Sequence, residues 1–248
     1  MIHLGIGIPC YGSKLDVGHA AMWLGMGAAL ATTQHLFKLT MMADYHINGI
    51  DLCRDTILWD AAQAGCDWVL MIDADTFHRA APASGGHGAA VAIDAIGDVG
   101  VDLLQMILDA DRFEEAERGP CTVGLIGAPV RGRGVGDAGV CVQDAQLQPL
   151  TLAALRGQIT PVYRLGGACI AVNLRWLRQH WPVGPWFRMV HAPGDLREIE
   201  AGTGRPHHGR GEDYDFCEGI HQRGGRVLCD GRFVPEHVDR RRLVGEVP

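Results

Sequence analysis

Trp68-Val69-Leu70-Met71-Ile72 restricts the architecture more than any other segment, because this unbroken apolar run ends at once in Asp73-Ala74-Asp75. The run has the length of a strand and shows no polar alternation, which suits a strand covered on both faces. Such strands belong to α/β sheets with helices on either side. In sheets of that kind ligands bind in the crevice beyond the carboxyl ends of the strands, where Asp73 and Asp75 would stand. A spacing of two on extended backbone turns both carboxylates to the same side, so they could face one divalent cation. A solvated turn would carry the same two acids.

The remaining pattern alternates strands and helices. Ile2 to Ile8 reads as a buried strand closed by Pro9, and residues 16 to 31 as a helix weakened by Gly18, Gly25 and Gly27. A second strand is predicted over His35 to Met42. Asn48 or Asp51 could cap the next helix, with Ile50, Cys53, Ile57, Leu58 and Ala61 on one face and Gly65 as its stop. Residues 80 to 100, rich in Gly, Ala and Pro, read as a loop, and a helix is expected from Val101 to Glu117. Later strands are predicted at Cys121 to Ile126, Pro161 to Leu165, Cys169 to Val172, Val227 to Cys229 and Phe233 to Val234. Asn173 opens a short helix to His180, and Glu212 to Arg223 forms another closed by Gly224. The fold expected is α/β, with a mostly parallel mixed sheet flanked by helices in a single domain spanning 1–248, a loop-rich insertion around 77–100 and a mobile loop around 193–211.

At 248 residues with 47% hydrophobic content the chain can bury a sizeable core. A formal charge of -7 argues against holding long nucleic acid through its phosphates, so a nucleic-acid acceptor is not indicated. The eight cysteines contain no Cys-x-x-Cys pair and read as buried free thiols. Neither a signal peptide nor a transmembrane segment is evident, so a cytoplasmic location is expected.

Four stretches, in order, resemble family-2-type glycosyltransferases of the GT-A (Rossmann-like) fold. They are Gly7-Ile8-Pro9-Cys10-Tyr11; Cys53-Arg54-Asp55 with Asp67 through Asp75; Gly127-Ala128-Pro129-Val130 with Arg164 through Val172; and Gly211-Glu212-Asp213-Tyr214-Asp215-Phe216-Cys217 with Gly224-Gly225 and His237. Two departures are Asp55, where relatives usually carry Asn, and the long segment between Thr76 and Cys121. The resemblance implies a nucleotide-diphosphate sugar donor of UDP or GDP type and a hydroxyl acceptor. It places Pro9, Tyr11, Arg54, Asp73 and Ala74 at the nucleotide sugar, and Gly166, Gly167 and Trp186 at the sugar or acceptor.

The chemistry of such a transfer matches these residue types. A departing nucleoside diphosphate accumulates negative charge that a divalent cation neutralises, and oxygen ligands suit magnesium or manganese. Asp75 is the first candidate ligand, with Asp73 beside it and His237 completing the set. The acceptor hydroxyl needs a base, for which Asp213 is the candidate, with Glu212 beside it as the second catalytic candidate. Acids in a helix's first turn also serve as simple complements to its dipole. A single displacement by that base would invert the anomeric centre. Arg54 lies near an apolar helix face and should reach an anion, either Asp73 or a phosphate. Trp186 and Phe187 could wall the acceptor site or anchor a loop. Residues 203 to 211, glycine-rich and cationic, suit a lid or an ordinary surface loop. Two other functions remain open: a nucleotidyltransferase making nucleotide sugars, and an inactive nucleotide-sugar-binding scaffold.

Overall fold

The computed structural model describes residues 1–10, 17–47, 49–74, 76–77, 93–116, 122–130, 139–188 and 211–237. Its centre is a seven-stranded sheet. β1 (Ile2–Pro9) pairs in parallel with β2 (Phe37–Tyr45) on one side and β3 (Trp68–Ile72) on the other. β5 (Val123–Gly127) and β11 (Arg226–Asp230) form a second parallel pair. Between these halves β10 (Cys169–Asn173) runs antiparallel to both β3 and β5, and β8 (Ile159–Val162) closes the far edge antiparallel to β11. The order is therefore β2-β1-β3-β10-β5-β11-β8, a mostly parallel sheet with two reversed strands.

Helices cover both faces, which explains why β3 is apolar throughout. α1 (Val17–Thr32) and α3 (Ile93–Ala116) lie on one face, over a core that includes Leu4, Ile6, Met26, Leu103 and Ile107. α2 (Ile50–Gln63), α5 (Leu174–His180) and α6 (Glu212–Gln222) cover the other with Ile57, Leu58, Trp176, Phe216 and Ile220. Asn173 caps α5 as expected, its side chain accepting from the N–H groups of Arg175 and Trp176. The stop glycines behave likewise, since Gly65 and Gly224 take φ of 77° and 78°. The cap on α2 differs from expectation: Gly49 occupies it without a side-chain bond, and Asn48 lies outside the described residues.

The structure departs from the sequence reading in three further places. α3 begins at Ile93, inside the stretch read as a loop up to residue 100. Gly100 is there for packing: a Cβ on it would lie 2.4 Å from the Gly25 carbonyl oxygen and 2.7 Å from Met26 Cα, so its missing side chain lets α3 approach the α1 backbone closely. The predicted strand from Pro161 to Leu165 is broken at Tyr163 into β8 and β9 (Arg164–Leu165), and β9 joins β6 (Gly139–Gln143) and β7 (Pro149–Thr151) in a small separate sheet. A one-turn helix, α4 (Leu152–Leu155), follows β7. Phe233 and Val234 are not a strand. The chain instead forms β12 (Glu236–His237), antiparallel to β4 (Thr76–Phe77). Of the described cysteines, six are buried free thiols and Cys141 is exposed. Burial pushes the Cys66 thiol up to about 11 and the Cys169 thiol up to about 12, which keeps both as inert neutral groups. Among the described residues no helix is long and apolar enough to cross a membrane.

Candidate functional site

The carboxyl ends of β1 and β3 are tied together by the chain itself. The Ala74 N–H donates to the Pro9 carbonyl (3.1 Å), the Asp73 N–H donates to the Ala168 carbonyl (3.0 Å), and the Thr76 N–H closes a turn on the Asp73 carbonyl (2.8 Å). Asp73 is thus fixed at the end of β3, beside the loop that enters β10. Tyr11 and Asp75 lie outside the described residues. His237 is placed by its backbone: in the β4–β12 pair it stands opposite Thr76, directly after Asp75 in sequence.

Arg54, on α2, links this strand end to the start of α6. Its guanidinium is buried, with 2% of the residue exposed. Nη2 donates to Asp73 Oδ1 (2.8 Å) and Oδ2 (3.0 Å), and Nη1 donates to Glu212 Oε1. Of the two anions the sequence offered, Asp73 or a phosphate, the structure gives Arg54 to Asp73, and adds Glu212. Burial disfavours the cation, but Asp73, Glu212 and Asp213 outweigh it and hold the guanidinium charge firmly in place. The Phe187 ring lies 5.7 Å from the guanidinium carbon.

Gly167 makes room for this arrangement. A Cβ there would lie 2.4 Å from Arg54 Nη1 and 2.7 Å from its central carbon, so no larger residue fits while Arg54 holds its partners. The Gly167 N–H also donates to Asp213 Oδ2 (3.0 Å), while the Tyr214 N–H donates to Oδ1 (2.8 Å). Each Asp213 oxygen therefore has one backbone donor, and the carboxylate is held in one orientation. Gly166 packs just as closely: its added Cβ would meet Cys141 Cβ at 2.8 Å and Asp213 Oδ2 at 3.9 Å. Tyr214, next in sequence, and Cys141 border Asp213, and Cys141 is a neighbour that no sequence spacing pointed to.

Three carboxylates, from Asp73, Glu212 and Asp213, surround a single guanidinium. The excess of negative charge and the hard oxygen donors suit a divalent cation. Among the described residues no three His, Cys, Asp or Glu side chains are arranged to hold a metal, and Asp75 and the His237 side chain are not among the described groups. Asp73 already has both oxygens engaged by Arg54.

Trp186 is packed in the core. It is buried, its indole N–H donates to the Trp181 carbonyl (2.8 Å), and its ring belongs to the core. Asp55 explains the anchoring, because its Oδ1 accepts from the Trp186 N–H (2.9 Å) and the Phe187 N–H (2.8 Å). The aromatic pair thus anchors its loop. Burial raises the Asp55 carboxyl even though both donors pull the other way.

Burial also pushes the Glu212 carboxyl above its usual 4.5; Arg54 opposes this, and Asp213 and Asp73 add to it. A carboxyl that binds its proton more tightly when folded contributes stability that is present below 4.5 and lost as pH rises through the folded-state value. The stability of the protein relative to Glu212→Gln should therefore fall as pH is raised from about 4 toward 7. Urea titrations of both proteins across that range measure the difference. A difference that grows with pH would show that Arg54 dominates and holds Glu212 below its usual value.

The sequence matches no protein-family model and no curated protein. Several solved structures are similar in shape. The crystal structure of A197 from STIV aligns with a TM-score of 0.52 and 12% identity, covering 96% of this chain and 86% of that one. GalNAc-T7, solved with UDP, GalNAc and Mn2+, aligns at 0.40 and 11% over 95% of this chain and 44% of that one. A mannose-1-phosphate geranyltransferase from Thermus thermophilus aligns at 0.38 and 12%, with 95% and 76% covered. At such identities the A197 likeness concerns the fold alone, and the other two fall below the level at which a shared fold can be argued from them.

Proposed function

We propose that this chain is a metal-dependent glycosyltransferase of the GT-A type, moving a sugar from a nucleoside-diphosphate donor of UDP or GDP type to an acceptor hydroxyl. The observation that carries the reading is the meeting of two distant acidic segments. Asp73 at the end of β3 and the Glu212-Asp213 pair opening α6 are joined through one buried arginine and one glycine. These are the segments in which the sequence resembles the family, and the fold brings them to the same place.

In this reading Asp75 and His237 bind magnesium or manganese with Asp73 in support, and the cation when bound neutralises charge on the leaving diphosphate. The pairing of His237 with Thr76 supports the ligand set, since it brings the two chain segments side by side. Arg54 acts indirectly: it neutralises and fixes Asp73 and Glu212 and so shapes the site. Pro9 and Ala74, bonded to each other, form the floor beneath the nucleotide, and Tyr11 follows them. Asp213 receives the acceptor's proton. Its orientation by the Gly167 and Tyr214 N–H groups leaves a lone pair on each oxygen available for that task. Attack by the hydroxyl with departure of the diphosphate in one step inverts the anomeric centre.

A panel of UDP, GDP, CDP and dTDP sugars, each with and without manganese, tests the reading through thermal stabilisation. One or two sugars of the UDP or GDP set should raise the melting temperature only with metal present, and Asp75→Asn should remove that response while melting normally by itself. Stabilisation of the Asp75→Asn protein equal to the parent's would eliminate Asp75 as a ligand. Transfer of a nucleotidyl group from a nucleoside triphosphate, with no sugar transfer, would replace the proposal with nucleotidyltransfer.

A further inference from the structure

The anchoring of Trp186 and Phe187 also works in the opposite direction, from the loop back onto the site. Arg54 and Asp55 are neighbours on α2, where one residue turns the helix by about 100°. Arg54 reaches the carboxylates, and Asp55 reaches the loop. Asp55 Oδ1 takes both backbone N–H groups, at 2.9 Å and 2.8 Å, so the peptide that carries the Phe187 ring is held by α2 itself. Hydrogen bonds to a carboxylate are stronger than neutral ones.

The ring held in this way is buried between two partners. It stacks on Phe216 of α6 with centroids 4.3 Å apart, and it lies 5.7 Å from the Arg54 guanidinium carbon, within the reach of a cation–π contact. The next residue completes the strap. Arg188 Nε donates to Asp215 Oδ2 of α6 at 3.0 Å. Three successive residues, 186 to 188, therefore join α2 to α6, the two helices that supply Arg54 and Glu212 to one ion pair.

We propose that Asp55 is a positioning residue of the site: by holding the Trp186-Phe187 backbone it keeps the Phe187 ring against Arg54, and Arg54 so placed fixes Asp73 and Glu212. A guanidinium that serves two carboxylates with separate nitrogens must keep its plane, which a point charge need not do. The Phe187 ring and the Gly167 backbone restrict it together, since a Cβ on Gly167 would come within 3.0 Å of Nη1, Nη2 and the central carbon. The effect on Arg54 follows from these contacts alone. The effect on donor binding rests also on the glycosyltransferase reading.

A double-mutant cycle followed by urea denaturation tests the first effect. Arg54→Lys keeps the charge, so direct attraction between the cation and Asp55 largely cancels, and the cycle reports the geometry that only a guanidinium provides. Arg54→Lys should cost less in Asp55→Ala than in the parent, by about threefold or more in the unfolding equilibrium constant. In Asp55→Asn it should cost what it costs in the parent, because the amide oxygen still accepts from both N–H groups. Equal costs in all three backgrounds overturn the proposal, and an Asp55→Asn result that matches Asp55→Ala overturns the role of the acceptor. Phe187→Leu gives a second route, for it leaves both Asp55 bonds and removes the ring. It too should shrink the cost of Arg54→Lys, and an unchanged cost overturns the role of the ring. Calorimetric binding of UDP and of GDP with manganese tests the second effect: the nucleotide that binds the parent should bind Asp55→Ala about tenfold more weakly and Asp55→Asn within about twofold of the parent. A parent that binds neither nucleotide defeats the glycosyltransferase reading and leaves the cycle to decide the placement of Arg54. Equal binding by the parent and Asp55→Ala overturns the positioning of the site.

Discussion

Replacing Arg54 with methionine is expected to destabilise the protein by about 3–5 kcal/mol, because it leaves two carboxylates without the cation that holds them. Glu212 is 8% exposed, and Asp73 is partly buried with both of its oxygens on Arg54. Methionine keeps an unbranched apolar stem but not the guanidinium, so the loss combines the missing charge with the space the guanidinium filled. Arg54→Lys should recover only part of it. A single ammonium restores the charge, but it cannot present separate nitrogens to Asp73 and Glu212 as the guanidinium does. Adding Glu212→Gln to Arg54→Met should return part of the stability, since it removes one uncompensated acid, and that non-additivity is the signature of a shared network. Urea denaturation at neutral pH of the parent, Arg54→Met, Arg54→Lys, Glu212→Gln and the double variant gives the values. A loss below about 1 kcal/mol for Arg54→Met would mean that water reaches the pair freely, as at an exposed ion pair.

This network shows what the sequence made legible and what it concealed. The cation near the apolar face of α2 pointed to an anion, and Asp73 was among the candidates, because a buried charge must be paired. Glu212 lies 158 positions from Arg54, and nothing local announces that contact. β3 was readable to the residue, since a strand buried on both faces needs no partner to explain its composition. The α5 cap was equally local, being one side chain bonded to its own helix. β6, β7 and β9 failed for the opposite reason: they are short, and their sheet depends on segments that meet only in the fold. Gly100 misled because glycine marks a loop locally, whereas here its missing side chain serves a contact with another helix. The resemblance places the Gly166-Gly167 pair at the sugar or acceptor, and the sequence does not announce the contacts the structure adds for it with Arg54, Cys141 and Asp213.

Those same contacts define the second large effect, on turnover. Asp213→Asn keeps the size of the side chain and an oxygen able to accept from either the Gly167 or the Tyr214 N–H, but it removes the capacity to take a proton. If Asp213 is the base, transfer should slow by about 10²-fold or more, with the affinity for the nucleotide sugar nearly unchanged. The separation is expected because Asp213 bonds Gly167 and Tyr214, whereas Arg54 divides its donors between Asp73 and Glu212. Gly167→Ala supplies the contrast. Its methyl group would press on the Arg54 guanidinium, so it should disturb Asp73, Glu212 and Asp213 together and lower donor affinity as well as turnover. Turnover numbers with saturating acceptor, and donor binding by calorimetry, distinguish the two. Near-normal transfer by Asp213→Asn would remove Asp213 from the chemistry, and a loss of donor affinity equal to that of Gly167→Ala would assign it to the support of the nucleotide site.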